Sequence, residues 1–424
     1  MGATTPPEQG EPVSTSDSWS RLPEDVVIRV LARLSVPQMF RARTVCKQWN
    51  SLTSTPEFVN MCGNGQYCEP YFPVVISRRF YMGDLGICIL GNDEQGGNDL
   101  FRVFFGYDHS TGTWQRLPPL DFLPREARVP VAAAGGIICF RGTSSLFLCN
   151  PVAKTWVELP AITYKWPPSV SVHILVDQPS GSYKVIIVGK IRHNFVSDSF
   201  RSIAIYESTT KAWRVVDAQH PSKVFLYGPT AAICGGSVYC EAICHCGQLG
   251  VMAYDIQAEA WQKVLHEIPP DERGDYQLTQ VVECGGSIYM VLARGFGGIV
   301  TGVYILKLEV PSSDTPHVEH DSSEHSRTTQ QPPSKVWKEV TNLCEELLED
   351  LRNQWFGDDD ADIVCVGHGT RICISAGVNL ILVYDVKTGL WSKVPTCSQL
   401  FDLGVNFSAE PIHFPIELRL KSSV

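Results

Sequence analysis

Four side chains that can bind metal ions lie close together in the middle of the sequence. Cys240, Cys244, His245 and Cys246 fall within seven positions, and thiolate and imidazole groups are common zinc ligands in proteins. A structural zinc site usually combines two separate pairs of such ligands, and no second matching pair accompanies this cluster. The surrounding residues are typical of a β-strand. We therefore expect buried or reactive thiols here and no bound metal.

Other patterns that carry chemistry are missing from the sequence. It has no glycine-rich phosphate loop, no G-x-S-x-G nucleophile elbow and no His-Glu-x-x-His helix. His317, His320 and His325 form a second tract of possible ligands, but no cysteine accompanies them in their very polar segment. A phosphorylated or merely tolerated loop is the preferred interpretation of that segment. The sequence predicts no cofactor and no metal.

The composition restricts the class of partner. The 424 residues carry a formal net charge of -10 without a run of clustered Lys or Arg, so neither nucleic acid nor a membrane surface is an expected partner. Residues 1–18 predict a disordered tail that lacks the apolar core of a secretory signal. No apolar stretch approaches the roughly 20 residues needed to span a bilayer. The fifteen cysteines are expected to be reduced, which predicts a cytoplasmic and/or nuclear protein.

Residues 19–62 have a helical pattern that differs from the rest of the chain. Pro23 suits a first helical turn, in which Glu24 and Asp25 complement the helix dipole. Three helices are predicted: one from Pro23, a second from about Val36 to Thr44, and a third, short one that Pro56 ends. A unit of about 40 residues rarely buries enough surface to be stable alone, so we expect a partner to cover it.

This segment resembles the F-box motif. Leu22-Pro23-Glu24-Asp25-Val26-Val27, Val30-Leu31, Arg33-Leu34 and Arg43-Thr44-Val45-Cys46-Lys47-Gln48-Trp49 match it at several fixed spacings. The resemblance implies that the Leu-Pro start, the apolar face of the first helix and the Val-Cys-x-x-Trp segment pack on a Skp-type adaptor. The implied interface residues are Leu22, Pro23, Val27, Leu31, Leu34, Val36, Pro37, Val45, Cys46 and Trp49. An internal bundle packed on the rest of the chain is the alternative, and Val45 and Trp49 could also serve the core of this head.

From residue 71 onward the sequence consists of short β-rich runs separated by turn residues, which predicts an all-β body. A repeat recurs in it: a short polar residue stands six positions before a tryptophan. The copies are Asp108 with Trp114, Asn150 with Trp156, Glu207 with Trp213, Asp255 with Trp261, and Asp385 with Trp391. We expect each polar side chain to form a hairpin turn and each tryptophan to begin the returning strand. The recurring aspartates are therefore turn residues, since a catalytic carboxylate would normally be unique.

Glycine pairs precede several of these hairpins. Gly135-Gly136, Gly235-Gly236 and Gly285-Gly286 permit backbone angles that other residues resist. With the Tyr and Trp positions they resemble a degenerate kelch repeat, which implies a β-propeller over residues 71–420 after a linker at 63–70. Trp337 is interpreted as a sixth repeat tryptophan, displaced by a disordered insertion at 311–335, so six blades are expected. Phe407 to Leu420 should pair with the first blade to close the ring.

After Trp337, Val340, Leu343, Leu347 and Leu351 recur at helical spacing among acidic residues. They predict a short acidic helix, which either caps one face of the propeller or, as the preferred interpretation, connects two blades and packs on the body.

The order of the two parts resembles plant-type F-box/kelch proteins. The resemblance implies a non-catalytic substrate receptor of an SCF (Skp-cullin-F-box) ubiquitin ligase, which would link an unknown protein substrate to the adaptor and the cullin-RING core. A scaffold that binds the adaptor without ubiquitination is one alternative. A propeller enzyme, such as a sialidase, is another. The sialidase repeat requires a glycine three residues before its tryptophan, and Gly112 stands only two residues before Trp114, so this sequence does not match that repeat. The substrate-binding residues are unknown from the sequence.

Overall fold

The computed structural model describes residues 22–34, 36–62, 70–72, 74–79, 103–161, 170–177, 179–189, 202–216, 224–244, 247–262, 266–268, 275–296, 299–309, 336–355, 363–403, 407–412 and 414–419. The chain divides into two compact units, one formed by residues 1–68 with 419–421 and the other by residues 69–418 with 422–424. The predicted tail at 1–18 and the predicted insertion at 311–335 lie outside the described residues. None of the described helices is both long and apolar enough to cross a membrane.

The first unit is helical. Its helices are α1 (Glu24–Leu31), α2 (Val36–Arg43), α3 (Lys47–Leu52) and α4 (Pro56–Cys62). Pro23 is the N-cap of α1 and no side chain caps this helix, which leaves Glu24 and Asp25 in its first turn as predicted. Buried apolar side chains from all four helices form the interior of this unit: Val27, Leu31, Val36, Met39, Ala42, Leu52, Phe58 and Cys62.

The prediction of three helices was wrong, since the described residues contain a fourth. Pro56 begins α4 instead of only ending α3, because a proline in the first helical position lacks an N–H that would have no partner there. Thr55 stabilises this start, its Oγ1 accepting a 3.2 Å hydrogen bond from the backbone N–H of Phe58.

The second unit is a six-bladed β-propeller. Each blade is an antiparallel sheet in which four main strands succeed one another from the innermost to the outermost. In that order, blade 1 contains β25 (Phe407–Pro411), β1 (Val74–Arg79), β2 (Val103–Asp108) and β3 (Thr113–Arg116); blade 2 contains β4 (Val129–Ala134), β5 (Ile137–Arg141), β6 (Leu146–Asn150) and β7 (Thr155–Glu158); blade 3 contains β8 (Val170–Val176), β9 (Tyr183–Gly189), β10 (Ser202–Glu207) and β11 (Ala212–Val216). Blade 4 contains β12 (Val224–Cys234), β13 (Ser237–Cys244), β14 (Leu249–Asp255) and β15 (Ala260–Trp261), with β16 (His266–Glu267) also paired to β14; blade 5 contains β17 (Asp275–Cys284), β18 (Ser287–Phe296), β19 (Ile299–Glu309) and β20 (Val336–Asn342); blade 6 contains β21 (Ile363–His368), β22 (Arg371–Ala376), β23 (Leu380–Asp385) and β24 (Leu390–Lys393).

The ring is closed by the C-terminal strand, as predicted. β25 pairs antiparallel with β1 and becomes the innermost strand of blade 1. A bridge between Tyr71 and Ile416 extends this pairing, with N–O distances of 2.9 and 3.1 Å. Closure pairs the edge of a sheet that would otherwise be open.

The apolar core lies between the faces of neighbouring blades. One buried cluster joins blades 2 and 3, and others join blades 3 and 4, 4 and 5, 5 and 6, and 6 and 1.

Polar side chains also form hydrogen bonds between the inner strands of neighbouring blades. Gln280 donates to the carbonyl of Ile363 and accepts from the N–H of Cys365, both at 2.7 Å. Buried Glu241 accepts hydrogen bonds from the hydroxyls of Thr230 and Thr279.

The predicted hairpin turns are confirmed, although the Glu207 carboxylate pairs with Lys184 of the adjacent strand instead of accepting N–H groups of its own turn. In each, the tryptophan lies directly opposite the tyrosine or cysteine that precedes the polar residue, as Tyr107 lies opposite Trp114. The side-chain oxygens of Asp108, Asn150, Asp255 and Asp385 accept hydrogen bonds of 2.8–3.0 Å from backbone N–H groups of their own turns. The three predicted glycine pairs have positive φ angles of 55–84°, which glycine adopts without a steric penalty.

Trp337 is confirmed as the sixth repeat tryptophan, since it pairs with Leu308 across β19 and β20. Three of the tryptophans also bind the preceding blade through the indole N–H. Trp114 donates to the carbonyl of Pro395 at 2.6 Å, and Trp213 donates to that of Pro160 at 2.8 Å. Trp391 donates to the Thr341 hydroxyl at 3.3 Å. Trp156 differs, because its side chain is 44% exposed and donates no such bond among the described residues.

The helix between blades 5 and 6 is α5 (Glu345–Trp355), followed later by a 3₁₀ helix at Ser398–Leu403. Leu348 and Leu351 are buried in the cluster between these blades, so the helix is a connection packed on the body, as preferred. Its predicted start was wrong. Val340 belongs to β20, where it stands at a register shift opposite β19, because strand pairing continues through the apolar spacing that suggested a helix.

Candidate functional site

Four large apolar side chains are exposed among the described residues of the helical unit. Leu22 precedes α1 and is 40% exposed, Val30 lies on α1 at 39%, Val45 lies between α2 and α3 at 65%, and Met61 lies on α4 at 47%. Exposed apolar side chains on so small a unit are candidates for contact with another protein.

The ten candidate interface residues divide by burial. Leu22, Pro23, Val45 and Cys46 are exposed; Leu34, Pro37 and Trp49 are half-buried; Val27, Leu31 and Val36 are buried. The structure places the last three inside the domain, and their assignment to the adaptor interface stays a prediction. Val27 and Leu31 are four positions apart on α1 and form its inward stripe, so their apolar character serves the packing of this unit.

Two exposed apolar side chains, Val30 and Met61, were missing from the predicted interface residues. Val30 is adjacent to Leu31 on α1, and the burial of one exposes the other. Met61 lies on α4, the helix that the sequence pattern did not predict. The signal for α4 was present in Thr55-Pro56, a polar cap followed by a proline in the first helical position.

The corner between α2 and α3 presents Val45 and Cys46. Cys46 is the N-cap of α3, and its Sγ accepts a 3.4 Å hydrogen bond from the N–H of Trp49. Arg43, the last residue of α2, donates from Nε to the Thr53 hydroxyl at 3.1 Å and from Nη2 to the Thr53 carbonyl at 2.8 Å. Partial burial lowers the pKa of Arg43 from its ordinary value, yet a guanidinium remains charged in proteins.

Most thiols of the propeller unit are buried where they are described, although Cys234 is half-buried and Cys344 is exposed. Cys240 is fully buried on β13, whereas His245 and Cys246 lie outside the described residues. Burial raises the pKa of Cys284 to about 12 and that of Cys373 to about 12. The protonated thiol is a poor nucleophile and metal ligand. In the described part of the chain, no three His, Cys, Asp or Glu side chains are grouped to hold a metal ion.

The repeat aspartates behave electrostatically as turn residues. Burial raises the pKa of Asp108, but hydrogen bonds from Ser110 and Thr111 outweigh this effect and lower it overall. At Asp385 the same opposition holds, with the N–H groups of Thr388 and Lys387 lowering the pKa. The hairpin hydrogen bonds thus favour the ionised form of both carboxylates, and at Asp385 the Thr370 hydroxyl and the Arg371 guanidinium act in the same direction.

Two parts of the chain match known protein families. Residues 19–60 match the F-box domain, and residues 123–281 match the F-box associated beta propeller domain. The chain has an F-box domain followed by an F-box associated propeller domain. The F-box match covers α1 to α3 and most of α4, including Leu22, Val30 and Val45.

The curated relatives are plant F-box proteins. F-box only protein 6 of Arabidopsis thaliana is 24% identical over 392 residues, which cover 90% of this chain and 70% of that protein. Protein UNUSUAL FLORAL ORGANS of the same plant is 22% identical, over 89% of this chain and 79% of its own length. An Arabidopsis F-box/kelch-repeat protein is 26% identical over 47% of this chain and 46% of that protein. The matched propeller family is the F-box associated one, and the kelch resemblance of the repeats stays an interpretation.

Proposed function

We propose that this F-box protein is the substrate-recognition subunit of an SCF ubiquitin ligase. Its F-box domain binds a Skp-type adaptor and, through it, a cullin-RING core, while the propeller holds a protein substrate for ubiquitination and degradation. The chain itself catalyses no bond change, and its contribution to the reaction is proximity. The observation that carries the proposal is the exposed apolar set on the helical unit that contains the F-box match: Leu22, Val30, Val45 and Met61.

Binding of the adaptor tests this proposal directly. The full-length protein should co-purify with a Skp-type adaptor when both are co-expressed. Val45→Asp should abolish binding, because the charge would have to be desolvated in an apolar contact, and the Leu22→Ala/Pro23→Ala double variant should weaken it. Leu390→Asp is the matched control, since Leu390 is equally exposed, at 67%, but lies on β24 of the propeller.

A wild-type chain that does not bind the adaptor would refute the proposal. So would a Val45→Asp chain that binds as tightly as the Leu390→Asp control.

The topology suggests which end of the propeller receives the substrate. In an antiparallel four-stranded meander, the turns after the first and third strands lie at one end, and the connections after the second and fourth strands lie at the other. The first end carries the glycine-pair turns and the short Asp and Asn turns. The second end carries the connection from β3 to β4, helix α5 and the 3₁₀ helix at Ser398–Leu403. Longer and more varied connections more often carry binding residues, so we propose recognition at this second end.

Charge reversal at each end tests this choice. Glu346 and Glu349 are exposed on α5 at the proposed end, and Lys387 is exposed in the β23–β24 turn at the opposite end. A full-length Val45→Asp chain, which should hold substrate without delivering it, provides the background for capture. Glu346→Lys/Glu349→Lys should reduce the captured substrate and Lys387→Glu should not. The reverse result would place recognition at the other end.

The site of action is part of the proposal. A chain that acts with a cullin-RING core is proposed to work in the cytoplasm and/or nucleus. Imaging of a fluorescently tagged full-length chain checks this, and accumulation in a secretory compartment would contradict it.

A further inference from the structure

Arg43 makes a two-point contact that joins both sides of the corner between α2 and α3. It ends α2, and its Nε and Nη2 reach the hydroxyl and the carbonyl of Thr53, the C-cap of α3. The guanidinium also lies 4.9 Å from the centre of the Phe40 ring. Thr53 is fully buried and donates its hydroxyl to the carbonyl of Trp49 at 2.7 Å. One side chain thus ties the end of α2 to the end of α3.

The Arg43–Thr53 contact lies beside the corner that carries Val45, which is the most exposed large apolar residue described in the F-box domain. Between Arg43 and Lys47 the chain turns through Thr44, Val45 and Cys46. Helix α3 has only six residues, too few for a helix to be stable in isolation, so its orientation depends on tertiary contacts. The contact between Arg43 and Thr53 therefore controls the direction in which the Val45 side chain points.

We propose that Arg43 is a positioning residue for adaptor binding. It fixes the angle between α2 and α3 and so holds Val45 in the orientation that the adaptor binds. This inference rests on the proposed function of the F-box domain.

The chemistry of the contact requires arginine. The two acceptors are an uncharged hydroxyl and a backbone carbonyl, and in the described part of the chain Arg43 has no carboxylate partner. The nearby Cys62 does not supply an anion, because burial raises the pKa of its thiol to about 11. A planar guanidinium can reach two acceptors at fixed angles while stacking on Phe40, whereas the ammonium of lysine is a single point charge.

The test measures the Kd of the full-length protein for a Skp-type adaptor. Arg43→Lys keeps the charge but loses the fork, and we expect it to weaken binding about 10-fold, the size expected for losing one charge-assisted hydrogen bond. Arg41→Lys is the matched control: Arg41 is an exposed arginine on the same helix, and its variant should bind like the wild type. Thr53→Val should weaken binding about 3-fold, while Thr53→Ser, which keeps both acceptors, should restore it.

A double-variant cycle separates positioning from general stability. If Arg43 acts through Val45, then in a Val45→Ala background Arg43→Lys should change Kd less than about 2-fold. Full additivity of the two substitutions, or wild-type affinity of both Arg43→Lys and Thr53→Val, would overturn the inference. Failure of the wild-type protein to bind the adaptor would instead refute the proposed function, so the two failures are distinguishable.

Discussion

Leu31 and Val45 are both apolar residues of the F-box motif, and the structure predicts opposite consequences for their truncation. Leu31 is 1% exposed on the inward stripe of α1, and Val45 is 65% exposed at the α2–α3 corner. Leu31→Ala should therefore act on the folding of the domain, and Val45→Ala should act on adaptor binding.

The expected changes in free energy follow from the burial of the Leu31 and Val45 side chains. A buried Leu→Ala change costs about 2–5 kcal/mol, and a unit of about 40 residues has a stability of only about 2–6 kcal/mol at typical values per residue. Leu31→Ala should thus remove most of the stability of the F-box domain in the absence of a partner. Val45→Ala removes two methyl groups from an exposed position, so it should change stability by less than about 0.5 kcal/mol. If the adaptor buries those methyl groups, binding loses about 1.5 kcal/mol, or about 10-fold in Kd.

The assay combines two measurements on the full-length protein. Hydrogen exchange followed by mass spectrometry reports the protection of residues 24–62, and titration with a Skp-type adaptor reports the Kd. Leu31→Ala should lose amide protection across the helices and regain it with adaptor at about 100 times the Kd, which contributes about 2.7 kcal/mol. Val45→Ala should keep wild-type protection and bind about 10-fold more weakly.

An exchange of roles between Leu31 and Val45 would contradict these expectations. Full protection with weakened binding in Leu31→Ala would mean that Leu31 belongs to the adaptor surface after all. Lost protection in Val45→Ala would mean that the Val45 side chain contributes to the packing of the domain.

Three further predictions concern the propeller. Trp114→Phe should destabilise the propeller by about 1–3 kcal/mol, because it leaves the carbonyl of Pro395 in the preceding blade without its donor. Trp156→Phe should have little effect, since Trp156 is exposed. Equal shifts of the two variants in urea unfolding would contradict this prediction. Burial lowers the pKa of His173 to about 4, below the ordinary value of about 6.5, so the folded state keeps the ring neutral. The contribution of this ring to stability is therefore full above about pH 6.5 and is lost progressively as the pH falls towards 4, and His173→Gln should flatten that part of a urea-midpoint profile. Gly367→Ala should prevent or strongly weaken folding, since a Cβ there would clash with the backbone carbonyl of Glu283 in the preceding blade. A normal thermal unfolding curve for this variant would refute the packing.

Local sequence signals were sufficient wherever a few neighbouring residues determine the conformation. An aspartate or asparagine that accepts its own turn N–H groups specifies a hairpin without help from distant residues. The same holds for paired glycines that adopt positive φ. These short-range effects recur in successive blades, which is why the repeat and the blade number were predictable from the sequence. The closing strand was predicted on a different ground, the need to pair an open sheet edge.

The candidate interface was only partly predictable, because the motif identifies apolar residues without saying which way they face. Val27 and Val30 are both valines of α1, yet one is buried and the other is exposed. The difference depends on how α1 packs against the other helices, including α4, whose start at Pro56 was not predicted. Likewise Trp156 shares its spacing with the other repeat tryptophans, but only the packing of its blade decides its exposure.

By itself, the sequence determined the helical head, the propeller repeats and the turn chemistry, because these depend on interactions within a few residues. Only the tertiary structure decided that Leu31 is internal while Val45 is exposed, that Arg43 reaches Thr53, and that Gln280 joins blade 5 to blade 6. Those facts depend on contacts between residues that are distant in the chain or on different helices, and residue spacing carries no information about the direction of such a contact.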